Sequence, residues 1–330
     1  MKIVEVSVPT KVTLFGEHAV VYGKPAIAIA IPRRIVLRGS ASTSPGLRIR
    51  LSNVRVEIRS VRIDGSTEVE VDVDELRRIL SYVVKGFEIA CRDEVKGLDL
   101  EIRSDLPIGV GLGTSAAVSV GMAALCLALR GYEGSELVEE AAHLGWRIER
   151  EVQGAASPMD TFTVAYGGVR FIEPWIPRAV ALDHGDLPLI VGYTPKRFTT
   201  AQLVAEVRKL RESYPQILNP VIELVGLVVE EARKAIERND LEKLGELMVL
   251  NHRLLHVLGV VSLETEKIVR TVLEMGALGA KMSGAGGGGA FVVLAKDRRD
   301  VDKLSNVVEA LGGRIVATSI EESGLKVFSG

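Results

Sequence analysis

Pro107, Ile108, Gly109, Val110, Gly111, Leu112, Gly113, Thr114, Ser115 and Ala116 form the stretch PIGVGLGTSA, with three glycines in five positions. It runs directly into the small, apolar segment AVSVGMAALCLALR. LDLEIRS, just before it, alternates as a strand does, and residues 115–129 read as a helix. A strand, a glycine loop and a helix in succession have physical content. The first turn of a helix leaves its N–H groups unpaired and its dipole positive, so an anion is welcome there. Glycine has no Cβ to keep a phosphate oxygen from the backbone. Thr114 and Ser115 stand where a capping hydroxyl is expected, and Ser115 is also a reasonable Mg²⁺ ligand beside such a cradle. The loop lacks the Gly-Lys-Ser/Thr ending of a Walker motif and the glycine spacing of a dinucleotide fingerprint. An ordinary strand-to-helix turn stays open on this stretch alone.

The chain around it has 330 residues, 47% hydrophobic and 25% charged, with a net charge of -2. That length suggests two domains of roughly 150 residues each. The charge balance excludes a general nucleic-acid or anionic-membrane binder. MKIVEVSVPTKVTLFGEH lacks the apolar core of a signal peptide, and no segment reaches the roughly 20 apolar residues of a membrane helix, so a cytoplasmic protein is expected. Cys91 and Cys126 sit in apolar helical stretches without metal-like spacing, which predicts reduced core residues. Five Asn and three Gln in 330 residues fit a heat-adapted protein.

Further along the chain, KIVEVSV, AIAIAI, RIVLRGS, LRIRLS and VRVEIRS read as strands, with one helix over residues 73–92. Helices are expected over 115–129 and 135–152, and TFTVAYGGVRFIE reads as strand. The pattern changes near residues 174–177, which divides the chain into 1–173 and 174–330. LPLIVGYT is a strand, followed by helices over about 200–214, 220–238, 241–258 and 264–275. The remainder reads strand, glycine-rich hairpin, strand, helix, strand. No strict βαβ repeat appears, so the class is α+β.

Two further stretches carry chemistry. Pro9-Thr-Lys-Val-Thr-Leu-Phe-Gly-Glu-His-Ala-Val-Val-Tyr-Gly23 places Lys11 at the end of a strand, and Glu17 and His18 after a glycine turn, inside an otherwise apolar run. Lys281-Met-Ser-Gly-Ala-Gly-Gly-Gly-Gly-Ala290 has five glycines in six positions and enters the apolar strand AFVVLA. A flexible linker would be flanked by polar residues. This one reads as a turn pressed against a backbone or a ligand.

In this order, PTKVTLFGEH, PIGVGLGTSA and KMSGAGGGGA resemble the three signature motifs of the GHMP family of small-molecule kinases, across essentially the whole chain. The resemblance implies an N-terminal domain like ribosomal protein S5 domain 2 and a ferredoxin-like C-terminal domain. Within the family GEHAVVYG is similar to the mevalonate-kinase branch, as is TPKRFTTAQLV with Thr200. QGAASPMD departs from the HGxPSGxD commonly found in eukaryotic members, but keeps the serine and Asp160. The resemblance implies ATP- and Mg²⁺-dependent phosphorylation of the primary hydroxyl of mevalonate, by a homodimer. Asp160 would be the base and Lys11 its partner, Ser115 and Glu149 the Mg²⁺ ligands, and residues 107–116 the ATP cradle. Glu17, His18 and Thr200 would meet the acceptor, and the last glycine loop would close over the site.

Overall fold

Pro9 and Thr10 mark a register shift in the pairing of the first two strands, β1 (Ile3–Phe15) and β2 (Ala26–Ala41), and that shift organises the molecule. Before it, Val4, Val6 and Val8 pack into one hydrophobic core; after it, Val12 and Leu14 pack into another. β2 switches in step: Ile27, Ile29 and Ile31 join the second core, Ile35 and Leu37 the first. A bulge rotates the strand, so residues of one parity change faces. Lys11 and Thr13 are thereby presented on the side of the first core's helices. Both faces of AIAIAI are covered, which is why it reads as a continuous apolar run.

A computed structural model describes residues 2–52, 74–91, 95–104, 106, 111–154 and 156–329. The expected strand VRVEIRS, and residues 107–110 of the glycine loop, lie outside the described residues. The first sheet adds β3 (Gly46–Ser52), β4 (Gly97–Ser104), β5 (Val169–Glu173), β6 (Arg178–Ala181) and β11 (Lys326–Ser329). Its order is β11-β1-β2-β4-β3, with β5 on the other half of β2 and β6 beyond it. Only the β3–β4 pair is parallel among these. The second sheet is antiparallel, in the order β10 (Arg314–Ala317), β7 (Leu189–Thr194), β9 (Gly289–Leu294), β8 (Gly279–Met282).

Four helices serve the first sheet: α1 (Asp74–Gly86), α2 (Thr114–Leu129), α3 (Gly134–Gln153) and α4 (Met159–Tyr166). Helix α2 is buried nearly all round, so its apolar residues do not form a stripe. Its small residues let neighbours approach closely; a Cβ at Gly121 would lie 2.5 Å from Leu37. The later helices are α5 (Thr200–Ser213), α6 (Pro215–Glu237), α7 (Leu241–Val257), α8 (Leu263–Glu274) and α9 (Arg298–Ala310). Residues of α6 and α7 share the second core with β7, β9 and the far half of β1, while α8 and α9 cover the second sheet's other face.

Several expectations need correction. KIVEVSV and PTKVTLF form one 13-residue strand, so Lys11 lies well inside β1. TFTVAY is helical, and only Val169–Glu173 is strand. Its β-branched residues favour a strand weakly, but Asp160 suits a helix first turn and Thr163 Oγ1 bonds back to Met159 O at 2.7 Å. The helix expected over 73–92 ends at Gly86 and continues as a π-helical turn, Phe87–Cys91. The helix expected from residue 220 begins earlier, with Pro215 in its first turn, where a missing N–H costs nothing. Cys91 and Cys126 are not reduced: they form a disulfide, fully buried, tying that π-helical turn to α2. The sequence separates them by 35 residues, and the packing of α1 and the π-helical turn against α2 brings them together. Buried disulfides also occur inside cells of heat-adapted organisms.

Candidate active site

Gly113, not Thr114 or Ser115, occupies the N-cap position of α2, in a left-handed conformation (φ 74°) with no side-chain cap. The expected capping role of the two hydroxyls is therefore wrong, and the reason is local. The chain must turn sharply to pass Lys11, whose N–H donates to Leu112 O at 3.0 Å. A Cβ at Gly113 would come within 2.8 Å of the Lys11 side chain. The uncapped N–H groups of the first turn remain available to an anion. Thr114 Oγ1 is buried and has no partner among the described residues.

Lys11 Nζ lies 2.6 Å from Asp160 Oδ1 and 3.0 Å from Thr13 Oγ1. Asp160 stands in the first turn of α4, whose N-cap position belongs to Pro158, so the aspartate is free of capping duty. The loop before it is held by Trp146 Nε1, which donates to Ala156 O at 2.8 Å. Glu149 on α3 is buried, and Gln153 one turn later donates to its Oε1 at 3.2 Å. Burial, with the charge of Asp160 added, pushes Glu149 up to about 8, against hydrogen bonding from Ser115. Tyr82 beside it is pushed up to about 12, chiefly by burial and then by Glu149. Two hard oxygen donors, one an ionisable group short of positive charge, suit a divalent cation.

These groups line one cavity of about 390 Å³, together with Gly111, Gly113, Glu17, His18 and Thr200. His18 sits at the unusual φ of 58° for a non-glycine residue. Its Nε2 is 3.0 Å from Ala285 O. A carbonyl only accepts, so Nε2 carries the proton and Nδ1, buried and without partner among the described residues, is an acceptor. Burial lowers the pKa of the ring, which favours this neutral form.

Residues 78–168 match the profile of the GHMP kinases N terminal domain, and residues 232–313 that of GHMP kinases C terminal. The chain is 38% identical to the mevalonate kinase of Pyrococcus horikoshii, covering 99% of this chain and 98% of that one. It is 34% identical to that of Saccharolobus solfataricus, covering 99% of each. This chain belongs to the GHMP kinase family. Among solved structures, L. major mevalonate kinase in complex with R-mevalonate superimposes with a TM-score of 0.77 and 26% identity, covering 96% of each chain.

The third motif of this GHMP kinase supplies what the sequence reading missed. Lys281 is fully buried and ion-paired with Glu17, and also donates to Met282 O at 2.8 Å. Burial pushes Glu17 up and Lys281 down, each opposed by the other's charge. Ser283 Oγ accepts from Thr13 N at 3.0 Å and donates to Thr13 O at 2.8 Å. The glycines beyond are pressed against backbone: Cβ atoms at Gly286 and Gly288 would lie 2.1 Å from Val260 O and 2.2 Å from Pro195 O. A lone lysine heading a glycine loop beside a buried strand was the available signal for Lys281. Arg208 on α5 and Tyr82 on α1 also line the cavity, and nothing in their sequence neighbourhoods distinguishes them from surface or core residues. Among the described residues no helix is long and apolar enough to cross a membrane.

Proposed function

We propose that this GHMP kinase transfers the γ-phosphoryl group of ATP to the primary hydroxyl of mevalonate, giving 5-phosphomevalonate and ADP. The observation that carries the reading is the Lys11–Asp160 pair, 2.6 Å apart and lining the cavity that the first turn of α2 also borders. The acceptor oxygen bonds to the γ-phosphorus as the bond to the β–γ bridging oxygen breaks. Its proton passes to the Asp160 carboxylate, and ADP departs with the bridging oxygen. Lys11 offsets negative charge at the attacking oxygen, and in a loose transition state placement counts for more than basicity.

Ser115 and Glu149 would hold Mg²⁺, and the buried, proton-retaining Glu149 fits that role. When bound, the ion offsets charge on the β- and γ-phosphates. Residues 107–116 cradle the phosphates, with Gly113 and Thr114 at the helix entry. His18 Nδ1 and the unpartnered Glu17 Oε2 are suited to accept from hydroxyl groups of the acceptor. A neutral His18 cannot pair with a carboxylate, so Thr200 and Arg208, both lining the cavity, take that end. The protein is read as a cytoplasmic homodimer, a state that light scattering on the purified chain tests.

The experiment is ADP release with ATP, Mg²⁺ and a panel of mevalonate, phosphomevalonate, homoserine and galactose. Turnover with mevalonate is expected; turnover only with another acceptor sinks the substrate assignment and spares the fold. Asp160→Asn should lower kcat by roughly 10²–10⁴-fold with nucleotide binding intact by calorimetry. Wild-type turnover in that variant refutes the base.

A further inference from the structure

Away from the cavity, His252 and His256 on α7 converge on Glu266 of α8. His252 Nε2 lies 3.0 Å and His256 Nε2 2.6 Å from the same oxygen, Glu266 Oε2, while Arg270 holds the other. The three ligand atoms lie within 4.8 Å of one another, a spacing a metal could use. Hydrogen bonding argues for something else. The backbone N–H of Met282 donates to His252 Nδ1 at 3.2 Å. An amide N–H only donates, so Nδ1 bears the lone pair and the proton of the neutral ring is on Nε2. That nitrogen donates to Glu266 and has no lone pair for a cation. Burial lowers His252 to about 4, which keeps the ring neutral. Burial would raise Glu266, but hydrogen bonds from His256, His252 and Arg270 outweigh it and bring it to about 2. The result is an oriented imidazole, fixed by a carboxylate on one side and reading a single backbone amide on the other.

That amide occupies a telling place. Met282 stands between Lys281, paired with Glu17, and Ser283, bonded twice to Thr13. Its carbonyl accepts from Lys281 and its N–H is taken by His252. We propose that His252, oriented by Glu266, is a positioning residue for the acceptor side of the site: it fixes Met282 and, through Lys281, the placement of Glu17. The proposal rests on the reading of Glu17 as an acceptor contact. Removing the imidazole leaves a buried N–H without its acceptor and loosens the Lys281–Glu17 pair. The first turn of α2 makes none of the bonds in this chain, so the ATP side should be spared.

The test uses the purified chain with ATP, Mg²⁺ and mevalonate. His252→Ala should raise the KM for mevalonate about tenfold, with the KM for ATP and kcat changed by less than about twofold. His252→Asn, whose Oδ1 can still accept from Met282, should recover most of that loss. An equal rise in both KM values, or a lowered thermal midpoint with an unchanged KM for mevalonate, overturns the proposal. Should His252→Ala fail to fold, Glu266→Ala must raise the mevalonate KM at least about threefold, and an unchanged value overturns it equally. Glu17→Gln separates the two readings. If it leaves the mevalonate KM unaltered, the acceptor role of Glu17 fails; if it raises that KM while His252→Ala does not, the positioning role alone fails.

Discussion

Glu149 holds its proton up to about 8 because burial and the charge of Asp160 oppose ionisation. In the unfolded chain it ionises near its ordinary value of 4.5. Between those two values the unfolded state gives up a proton that the folded state keeps, so stability falls as pH rises through that window. Glu149→Gln should remove this slope, and should stabilise the metal-free protein at pH 8 by a few kcal/mol at most, about 1–3. Urea unfolding of both proteins from pH 5 to 8.5 without Mg²⁺ measures it; parallel curves would contradict the assignment. The same substitution should abolish Mg²⁺-dependent turnover. Gly113→Ala acts differently, since a Cβ there meets both a left-handed φ and the Lys11 side chain. A loss of about 1–3 kcal/mol in stability is expected, with a larger fall in kcat than strain alone explains, because Lys11 is displaced from Asp160. Unchanged kinetics in a destabilised variant would limit Gly113 to a structural part.

Helix α2 depends on its neighbours at both ends. Its first turn borders the cavity, and Cys126 near its last turn is bonded to Cys91. Closing a loop of 35 residues removes unfolded-state freedom worth about 4 kcal/mol on a chain-entropy estimate. The Cys91→Ala/Cys126→Ala variant should therefore unfold at lower denaturant by about 2–5 kcal/mol, while the KM for ATP stays near the wild-type value. Equal stability with and without the bridge would show that packing alone holds the helices. α2 was legible in the sequence because small apolar residues crowd it on every side. α4 was not: the run of β-branched and aromatic residues from Thr161 to Val164 reads as strand, and only the surroundings of Asp160 settle the helix. The disulfide was invisible because chain separation does not encode which helix faces meet. Lys11, Glu17, His18, Ser115, Glu149, Asp160 and Thr200 line one cavity, and three short motifs carry most of them. Tyr82 and Arg208 join them only through tertiary contact, and Lys281 reaches the site through its ion pair with Glu17.

On the scale of the molecule, the Glu17–Lys281 pair ties the turn after β1 to β8 of the second sheet, with both side chains buried. Lys281→Met should cost about 3–5 kcal/mol, because it leaves a buried carboxylate unpaired. Adding Glu17→Gln should recover a good part of that, and a double-mutant cycle by chemical denaturation reads the coupling. Additive losses would mean that the two charges are solvated separately. The second core likewise contains β1 and β2 residues beside β7, β9, α6 and α7, so this core is shared between the two sheets. The bulge at Pro9 and Thr10 makes this sharing possible, and it also limits how the chain can change over generations. Deleting or inserting one residue between Val4 and Phe15 would turn one half of the strand inside out. Valines would be exposed and Lys11 would point away from Asp160. Substitutions in this strand can be tried one at a time and kept or discarded, whereas a change of length by one is lost at a single step. Its spacing should therefore outlast most of its side chains among descendants that still turn over substrate.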